Sequence, residues 1–183
     1  MTKTKKTVYQ LKSTLADIRP PIWRRVEVED CTLLRLHEII QIVMGWEFSH
    51  LWAFEIDGEQ FGDDSLGEME MESAQSQTLS RVVNSGIKKF RYLYDFGDSW
   101  QHVITVEKTA DTDPKVKYPR CVAGKRACPP EDCGGPWGYG DFLEAIQDPK
   151  HDQHEDLLDW VGGEFDPEEF DADEINKELT SVR

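Results

Sequence analysis

Apolar and polar residues alternate along the first part of the chain in a pattern typical of β-strands. In the segment from Thr7 to Leu15, one side carries Tyr9, Leu11 and Leu15, and the other carries Gln10, Lys12 and Thr14. Pro20-Pro21 interrupts this pattern, and a period of two resumes from Ile22 to Val28. We therefore expect two half-buried strands.

The apolar spacing then changes to about 3.6 residues, which predicts an amphipathic helix over residues 33–44. Thr32 suits the N-cap, because its hydroxyl can accept a backbone hydrogen bond, and Gly45 suits the C-terminal end. The apolar stripe consists of Leu33, Leu36, Ile40, Val43 and Met44.

The middle of the chain predicts further strands and one short helix. Asp57-Gly58 favours a tight hairpin turn between a strand over residues 46–56 and a returning strand near Phe61. Residues 63–77 are acidic and are expected to form a loop, followed by a helix over residues 79–84. The first of these strands places His50, Trp52, Phe54 and Ile56 on one face.

Residues 90–107 are expected to form two paired strands joined by Asp95–Ser99. An alternative register would set Arg91 and Asp95 against an apolar wall, at a cost of several kcal/mol. Hydrophobic matching instead puts Phe90, Tyr92 and Tyr94 on the same face as Trp100, His102, Ile104 and Val106.

The C-terminal part predicts a rigid loop and acidic helices. Residues 118–139 are rich in proline, glycine and cysteine, which indicates a long ordered loop. Helices are expected at 141–147, at 152–161 and in a C-terminal segment with capping boxes at Asp166 and Asp171. Together the elements predict a single α+β domain over residues 1–183. Its antiparallel or mixed sheet of about five or six strands, built from hairpins, packs against the N-terminal helix and the acidic helices.

Charge limits the classes of partner. The net charge is -15, with seven Lys/Arg and one Asp in residues 1–25 but three Lys/Arg and seventeen Asp/Glu in residues 127–183. Direct DNA binding is disfavoured, because it depends on neutralising phosphates with basic residues. The N-terminus has no apolar signal core, and the chain has no run of about 18 apolar residues, so we expect a cytoplasmic protein without a membrane partner.

Two histidines on apolar strand faces are the main candidates for chemistry. A buried imidazole needs a hydrogen-bond partner or a function, and His50 and His102 both occupy such positions. With Asp98 they make a candidate metal site, and Glu131 and Asp132 add carboxylates. The whole candidate pocket comprises His50, Trp52, Tyr92, Tyr94, Asp95, Asp98, Trp100, His102, Glu131, Asp132 and Trp137.

Three cysteines offer an alternative metal site. Cys121, Cys128 and Cys133 are spaced Cys-x6-Cys-x4-Cys, and three thiolates with one histidine would satisfy tetrahedral zinc. The spacing lacks the paired Cys-x-x-Cys of zinc ribbons, and reduced, partly buried thiols are the simpler interpretation.

Several motifs resemble one known family. They are Pro21-Ile-Trp-Arg-Arg25, Leu36-His-Glu-Ile-Ile-Gln41, Gly45-Trp46 with His50-Leu51, Tyr94-Asp-Phe-Gly-Asp-Ser-Trp-Gln-His102 and Pro129-Pro-Glu-Asp-Cys-Gly-Gly135. In this order they resemble the plasmid pRiA4b ORF-3-like family. The resemblance implies a compact α+β domain and a loose link with mobile elements or regulation. Relatives often have His-Leu-His after the Gly-Trp element, whereas this chain has Trp52 at the second histidine.

Three hypotheses of function follow. The leading one is a non-catalytic module that binds a small-molecule ligand or a partner protein in a polar and aromatic cleft, because no nucleophile motif is present. The second is a metal-dependent hydrolase, with zinc or another divalent ion held by His50, Asp98 and His102 and with Glu131 as general base. The third is a nucleic-acid adaptor that uses the basic first strands.

Overall fold

A mixed sheet of eight strands forms the centre of the structure, a computed structural model that describes residues 6–63 and 71–182. The strand order is β5-β4-β3-β6-β7-β1-β2-β8, and every pair is antiparallel except β4 and β5. The strands are β1 (Thr7–Leu15), β2 (Trp23–Glu29), β3 (Trp52–Ile56), β4 (Glu59–Gly62), β5 (Glu72–Ser73), β6 (Lys89–Tyr94), β7 (Trp100–Asp111) and β8 (Arg120–Lys125).

In the described residues two helices lie between strands and three follow the last strand, an α+β arrangement that confirms the predicted fold class. They are α1 (Leu33–Met44), α2 (Leu79–Asn84), α3 (Gly135–Gln147), α4 (His154–Trp160) and α5 (Ala172–Glu178), and a 3₁₀ turn (Leu179–Val182) follows α5. One hydrophobic core joins the apolar side of the sheet to α1 and to the C-terminal elements. The chain is therefore a single domain.

Helix α1 forms as its sequence predicts. Thr32 Oγ1 accepts a hydrogen bond from the Arg35 amide at 3.2 Å. Gly45 adopts a left-handed φ of 80° and donates its N–H to the Gln41 and Ile42 carbonyls. The apolar stripe is buried, so the helix packs on the sheet through the face that the spacing of its apolar residues predicts.

The hairpin of β6 and β7 has the predicted register. Tyr92 pairs with His102 and Tyr94 with Trp100, and all four side chains are buried. The residues between Tyr94 and Trp100 form the connecting turn, in which the Ser99 amide donates to the Asp95 carbonyl at 2.6 Å.

The structure has more strands than the five or six expected. Strand β5 lies in the predicted acidic loop 63–77, of which residues 64–70 fall outside the described part of the chain. The predicted loop 118–139 contains β8 and the beginning of α3. Strand β5 has two residues and β8 has six. Their pairing with β4 and β2 depends on tertiary contacts that local composition does not report.

Strand β3 is shorter than predicted, which changes the setting of His50. The strand begins at Trp52, so His50 lies on the loop between α1 and β3 instead of on a strand face. The turn at Asp57-Gly58 forms as expected, with φ values of 52° and 85°.

The outer edge of β8 is covered by a side-chain amide from α5. The Cys121 amide donates to Asn176 Oδ1 at 2.8 Å, and Asn176 Nδ2 donates to the Cys121 carbonyl at 2.8 Å. Asn176 therefore takes the place of one residue of a neighbouring strand and closes an edge that would otherwise be open to pairing.

None of the helices in the two described ranges combines the length and the apolar character of a membrane span. The cytoplasmic location stays a prediction.

Candidate metal-binding site

Three separate loops bring one histidine and two aspartates together. His50 comes from the loop after α1, Asp95 from the β6–β7 turn, and Asp132 from the loop between β8 and α3. Their potential ligand atoms all lie within 4.8 Å of one another. Among the residues that the structure describes, this is the one group of three His, Cys, Asp or Glu side chains that meets this distance.

The two nitrogens of His50 face the two carboxylates. Nδ1 lies 3.8 Å from Asp95 Oδ2, and Nε2 lies 3.1 Å from Asp132 Oδ1. Nε2 is buried but has no hydrogen-bond partner in the described structure, since its approach to Asp132 satisfies the distance for an ion pair but not the geometry of a hydrogen bond. Two ligands that each lie about 2.1 Å from one ion stand about 3.0 Å apart when they are adjacent on an octahedral ion and about 3.4 Å apart on a tetrahedral one. The Nε2–Oδ1 separation of 3.1 Å lies between these values.

Both aspartates have unusual backbone dihedral angles. Asp95 has a φ of 54° and Asp132 a φ of 60°, in the left-handed region that aspartate tolerates better than most side chains. The Asp95 amide donates to the Leu51 carbonyl at 2.8 Å, and Asp95 Oδ1 accepts from the Gly97 amide at 2.9 Å. Asp95 Oδ2, the oxygen nearer to His50, has neither of these bonds.

Exposure differs strongly within the cluster. The side chain of Asp95 is 11% exposed and that of His50 26%, whereas that of Asp132 is 69% exposed. The cluster is therefore closed on the side of the β6–β7 turn and open on the side of Asp132. An ion held there would be accessible to solvent or to an external ligand.

Tyr94 and Glu131 connect the two loops that carry His50 and Asp132. The Tyr94 hydroxyl donates to Glu131 Oε1 at 2.5 Å and accepts from the Ser49 amide at 3.0 Å. Glu131 Oε1 also accepts from the Glu47 amide at 3.1 Å. Burial and the hydrogen bond to Glu131 raise the pKa of Tyr94 well above its ordinary value. The hydroxyl therefore remains a donor at every physiological pH.

A polar cluster under α1 supports the same loop, and the sequence analysis missed it. Gln41 Nε2 donates to the Tyr92 hydroxyl at 3.0 Å, and His37 Nδ1 lies 2.7 Å from the same oxygen. Gln41 Oε1 accepts from the Phe48 amide at 3.2 Å. His37 and Gln41 lie one helical turn apart on the buried face, and two polar residues at that spacing are the signal that could have indicated the cluster.

Asp98 has a structural role at a different place. Its Oδ2 accepts a hydrogen bond from the Gly134 amide at 3.0 Å, next to the N-terminal end of α3. A Cβ on the following Gly135 would lie 2.3 Å from the Asp98 carbonyl oxygen, so the turn and the helix are in close contact. Asp98 thus fixes α3 on the β6–β7 turn.

His102 is enclosed in the core. It is fully buried, and its Nδ1 lies 3.1 Å from Ser13 Oγ. Burial lowers the pKa of His102 to about 3, so the ring is neutral at physiological pH. The predicted ligand set of His50, Asp98 and His102 is not brought together, because β7 places His102 in the core and Asp98 is bonded to the Gly134 amide.

The aromatic residues of the predicted pocket are mostly core residues. Trp52, Tyr92, Tyr94 and Trp100 are each less than 8% exposed. Trp137 is 89% exposed and belongs to a different cleft. The predicted polar-aromatic pocket is therefore divided between the core, the cluster around His50 and the face of α3.

The three C-terminal cysteines remain only a predicted alternative metal site. They do not meet the distance that His50, Asp95 and Asp132 meet, and their thiols are free. Burial raises the pKa of the Cys133 thiol to about 12 and that of Cys128 still further. Thiols that stay protonated in this way are poor nucleophiles.

The comparisons with known proteins agree with the fold. A family model described as plasmid pRiA4b ORF-3-like protein matches residues 7–174, and the chain belongs to this family. It is 41% identical over 182 residues to the uncharacterised protein y4hQ of Sinorhizobium fredii, covering 96% of this chain and 92% of that protein. It is also similar to the crystal structure of MM3350, a protein of unknown function from Methanosarcina mazei Go1. That similarity has a TM-score of 0.86 and 41% identity over 93% of this chain and 98% of the other.

Proposed function

We propose that this protein is a binding module for a divalent metal ion, held by His50, Asp95 and Asp132. The observation that carries the proposal is the convergence of three ligand atoms within 4.8 Å from three separate loops. One imidazole nitrogen and two carboxylates are ligands that zinc, manganese and iron accept. Calcium is less suited, since it prefers an all-oxygen shell.

The unpartnered nitrogen of His50 supports a ligand at this place. A buried polar atom without a hydrogen bond costs free energy unless something occupies its lone pair or its proton. A metal ion between His50 Nε2 and Asp132 Oδ1 would satisfy the nitrogen and would neutralise two carboxylates that lie close together.

Metal titration tests the proposal. Chelator-treated protein is titrated with zinc chloride and with manganese chloride in a calorimeter, and bound metal is counted by elemental analysis. We expect one ion per chain, and we expect His50→Ala and Asp132→Asn to remove the binding. His151→Ala is the matched control, because His151 is an exposed histidine outside the cluster.

Two outcomes would contradict the proposal. One is the absence of saturable binding of either metal to the wild-type protein at millimolar concentration. The other is equal binding by the wild type and by His50→Ala, which would place the ion elsewhere.

Metal-assisted hydrolysis is a second candidate, favoured by the open side of the cluster. Catalytic zinc sites have three protein ligands and a water in the remaining position. Glu131 would act as general base through Oε2, because two donors, from Tyr94 and Glu47, already engage Oε1. Hydrolysis of bis(p-nitrophenyl) phosphate or p-nitrophenyl acetate by the metal-loaded protein, lost in Glu131→Gln, would select this candidate over a purely binding role.

A nucleic-acid adaptor has less support from the contacts of the basic strands. Arg24 is 3% exposed and donates to the Val43 and Lys125 carbonyls, so it is not available to phosphates. Arg25 forms an ion pair with Glu107, and Arg120 forms one with Glu27. If the protein binds DNA with an affinity that falls steeply as the salt concentration rises, this alternative and the link with mobile elements would gain support.

A further inference from the structure

A second cleft, with a volume of about 1240 Å³, lies beside helix α3. Its walls are the connection between β1 and β2, the β6–β7 turn and α3 from its start to Glu144. None of the three residues of the metal-binding cluster lines it. It is therefore a separate concavity, and neither the proposed metal site nor its alternatives assign it a role.

The most exposed large apolar side chain described in this protein is at the rim of this cleft. Trp137 is 89% exposed, whereas Trp46, Trp52 and Trp100 are buried. Within the described part of the chain the Trp137 indole has no ring contact, hydrogen bond or cation above it. A large aromatic surface left in water at the edge of a cavity is typical of a contact site.

Carboxylates lie along α3 next to this indole. Asp141 and Glu144 follow Trp137 by four and seven residues, a spacing that puts all three on one face of the helix, and all three line the cleft. Asp17 approaches from the opposite wall, where Arg19 is the cation that lines the cleft.

The carboxylates are free to take a cationic ligand. In the described structure, none of Asp17, Asp141 and Glu144 takes part in an ion pair. A fourth carboxylate in the lining, that of Asp98, is already bonded to the Gly134 amide. Three exposed acids against one guanidinium give the cleft a negative potential, which repels phosphate groups and attracts cations.

We propose that this cleft binds an arginine-bearing segment of a partner polypeptide. A guanidinium plane stacks on the Trp137 indole and forms paired hydrogen bonds with Asp141, one helical turn along the same face. Glu144, about one turn further along α3, and Asp17, on the opposite wall, take a second basic side chain. Arginine fits better than lysine, because its flat group both stacks on an indole and pairs with a carboxylate through two parallel bonds.

Fluorescence anisotropy of labelled peptides tests the proposal. The probes are fluorescein-Gly-Arg-Gly-Arg-Gly, the same peptide with lysine for arginine, and the same peptide with glutamate for arginine. We expect saturable binding of the arginine peptide, weaker binding of the lysine peptide and none of the glutamate peptide. Trp137→Ala and the double variant Asp141→Asn/Glu144→Gln should each weaken binding about tenfold. The wild-type side chains are exposed, so these changes leave the core intact.

The matched control distinguishes specific binding in the cleft from the nonspecific attraction of an acidic protein for cationic peptides. Asp152→Asn/Glu155→Gln removes the same charge from exposed positions outside the cleft and should change the affinity less than about twofold. Equal weakening by the control double variant overturns the proposal, since it would show nonspecific attraction. Unchanged binding by Trp137→Ala, or no binding of the arginine peptide at 1 mM, also overturns it.

Discussion

The Tyr94 hydroxyl donates a 2.5 Å hydrogen bond to the Glu131 carboxylate and so joins the loop of His50 to the loop of Asp132. Tyr94 is fully buried, and its strand neighbour Asp95 is itself one of the three clustered residues. One phenol thus positions groups from all three loops without belonging to the cluster.

Removing this hydroxyl is expected to weaken metal binding and to destabilise the fold by similar free energies. Tyr94→Phe leaves the ring in the core but removes the bonds to Glu131 and the Ser49 amide. We expect about a tenfold loss of metal affinity and about 1–2 kcal/mol of unfolding free energy. Calorimetric titration and urea denaturation measure the two effects.

Tyr118→Phe is the control for this change. Tyr118 lies in a connecting segment, where its hydroxyl accepts only a long bond of 3.3 Å from the Asp113 amide. We expect no change in metal affinity. If Tyr94→Phe binds metal as tightly as the wild type, the hydroxyl does not organise the cluster.

Two buried histidines should make the protein less stable as the pH falls. Burial lowers the pKa values of His37 and His102 to about 3, whereas an unfolded histidine titrates near 6.5. Above about pH 6.5 the rings are neutral in both states and contribute no pH dependence. Below it the unfolded chain binds protons that the native chain does not, so the unfolding free energy falls by up to about 1.4 kcal/mol per pH unit for each histidine.

Urea denaturation between about pH 5 and pH 6.5 measures this slope, in a window above most carboxyl titrations. We expect His102→Gln to reduce the number of protons taken up on unfolding by up to one. We expect His151→Gln, at an exposed position, to leave the slope of the unfolding free energy against pH unchanged. A wild-type stability that does not vary across this window would contradict the assignment of neutral buried rings.

Two glycines of α3, one at its start and one in its interior, should respond in opposite directions to alanine. Gly135 has a φ of 71°, and its Cβ would lie 2.3 Å from the Asp98 carbonyl oxygen, so Gly135→Ala should cost more than about 2 kcal/mol. Gly140 lies inside α3 with no atom near its Cβ position, so Gly140→Ala should stabilise by about 0.5–1 kcal/mol. Thermal and urea unfolding compare the two, and similar effects would contradict the close contact at Asp98.

The side-chain amide that covers β8 should protect the edge of the sheet. Asn176→Ala removes two bonds from the Cys121 backbone, and we expect a loss of about 1–2 kcal/mol together with faster hydrogen exchange of the Cys121 amide. Asn84→Ala, at an exposed position at the end of α2, provides the comparison. Unchanged exchange at Cys121 would show that α5 covers the edge by other contacts.

Local patterns in the sequence predict the elements whose determinants are also local. The caps of α1 at Thr32 and Gly45 and the pairing of Tyr92 with His102 follow from spacing and from matching of apolar faces. Strand β8 was not predicted, because its hydrogen bonds come from β2, far away in the sequence, and its glycine and neighbouring prolines favour a loop.

The candidate site was only partly predictable for the same reason. His50, Asp95 and Asp132 were each recognised as pocket residues, but composition does not show which acids approach which imidazole. The two-residue period placed His50 on a strand that begins only at Trp52. It placed His102 correctly on an apolar strand face but could not show that Trp46 and Tyr92 pack against the ring there. The tertiary structure decides which loop residues come together, and local sequence patterns do not report it.

The three loops of the cluster have a thermodynamic consequence. Because His50, Asp95 and Asp132 meet only when α1, the β6–β7 hairpin and the segment after β8 are all in place, a denatured chain offers no comparable set of ligands. An ion that binds there selects the native state, so the melting temperature of the protein should rise with the free concentration of that ion. Heat resistance would then depend on the metal supply of the surroundings as well as on the sequence.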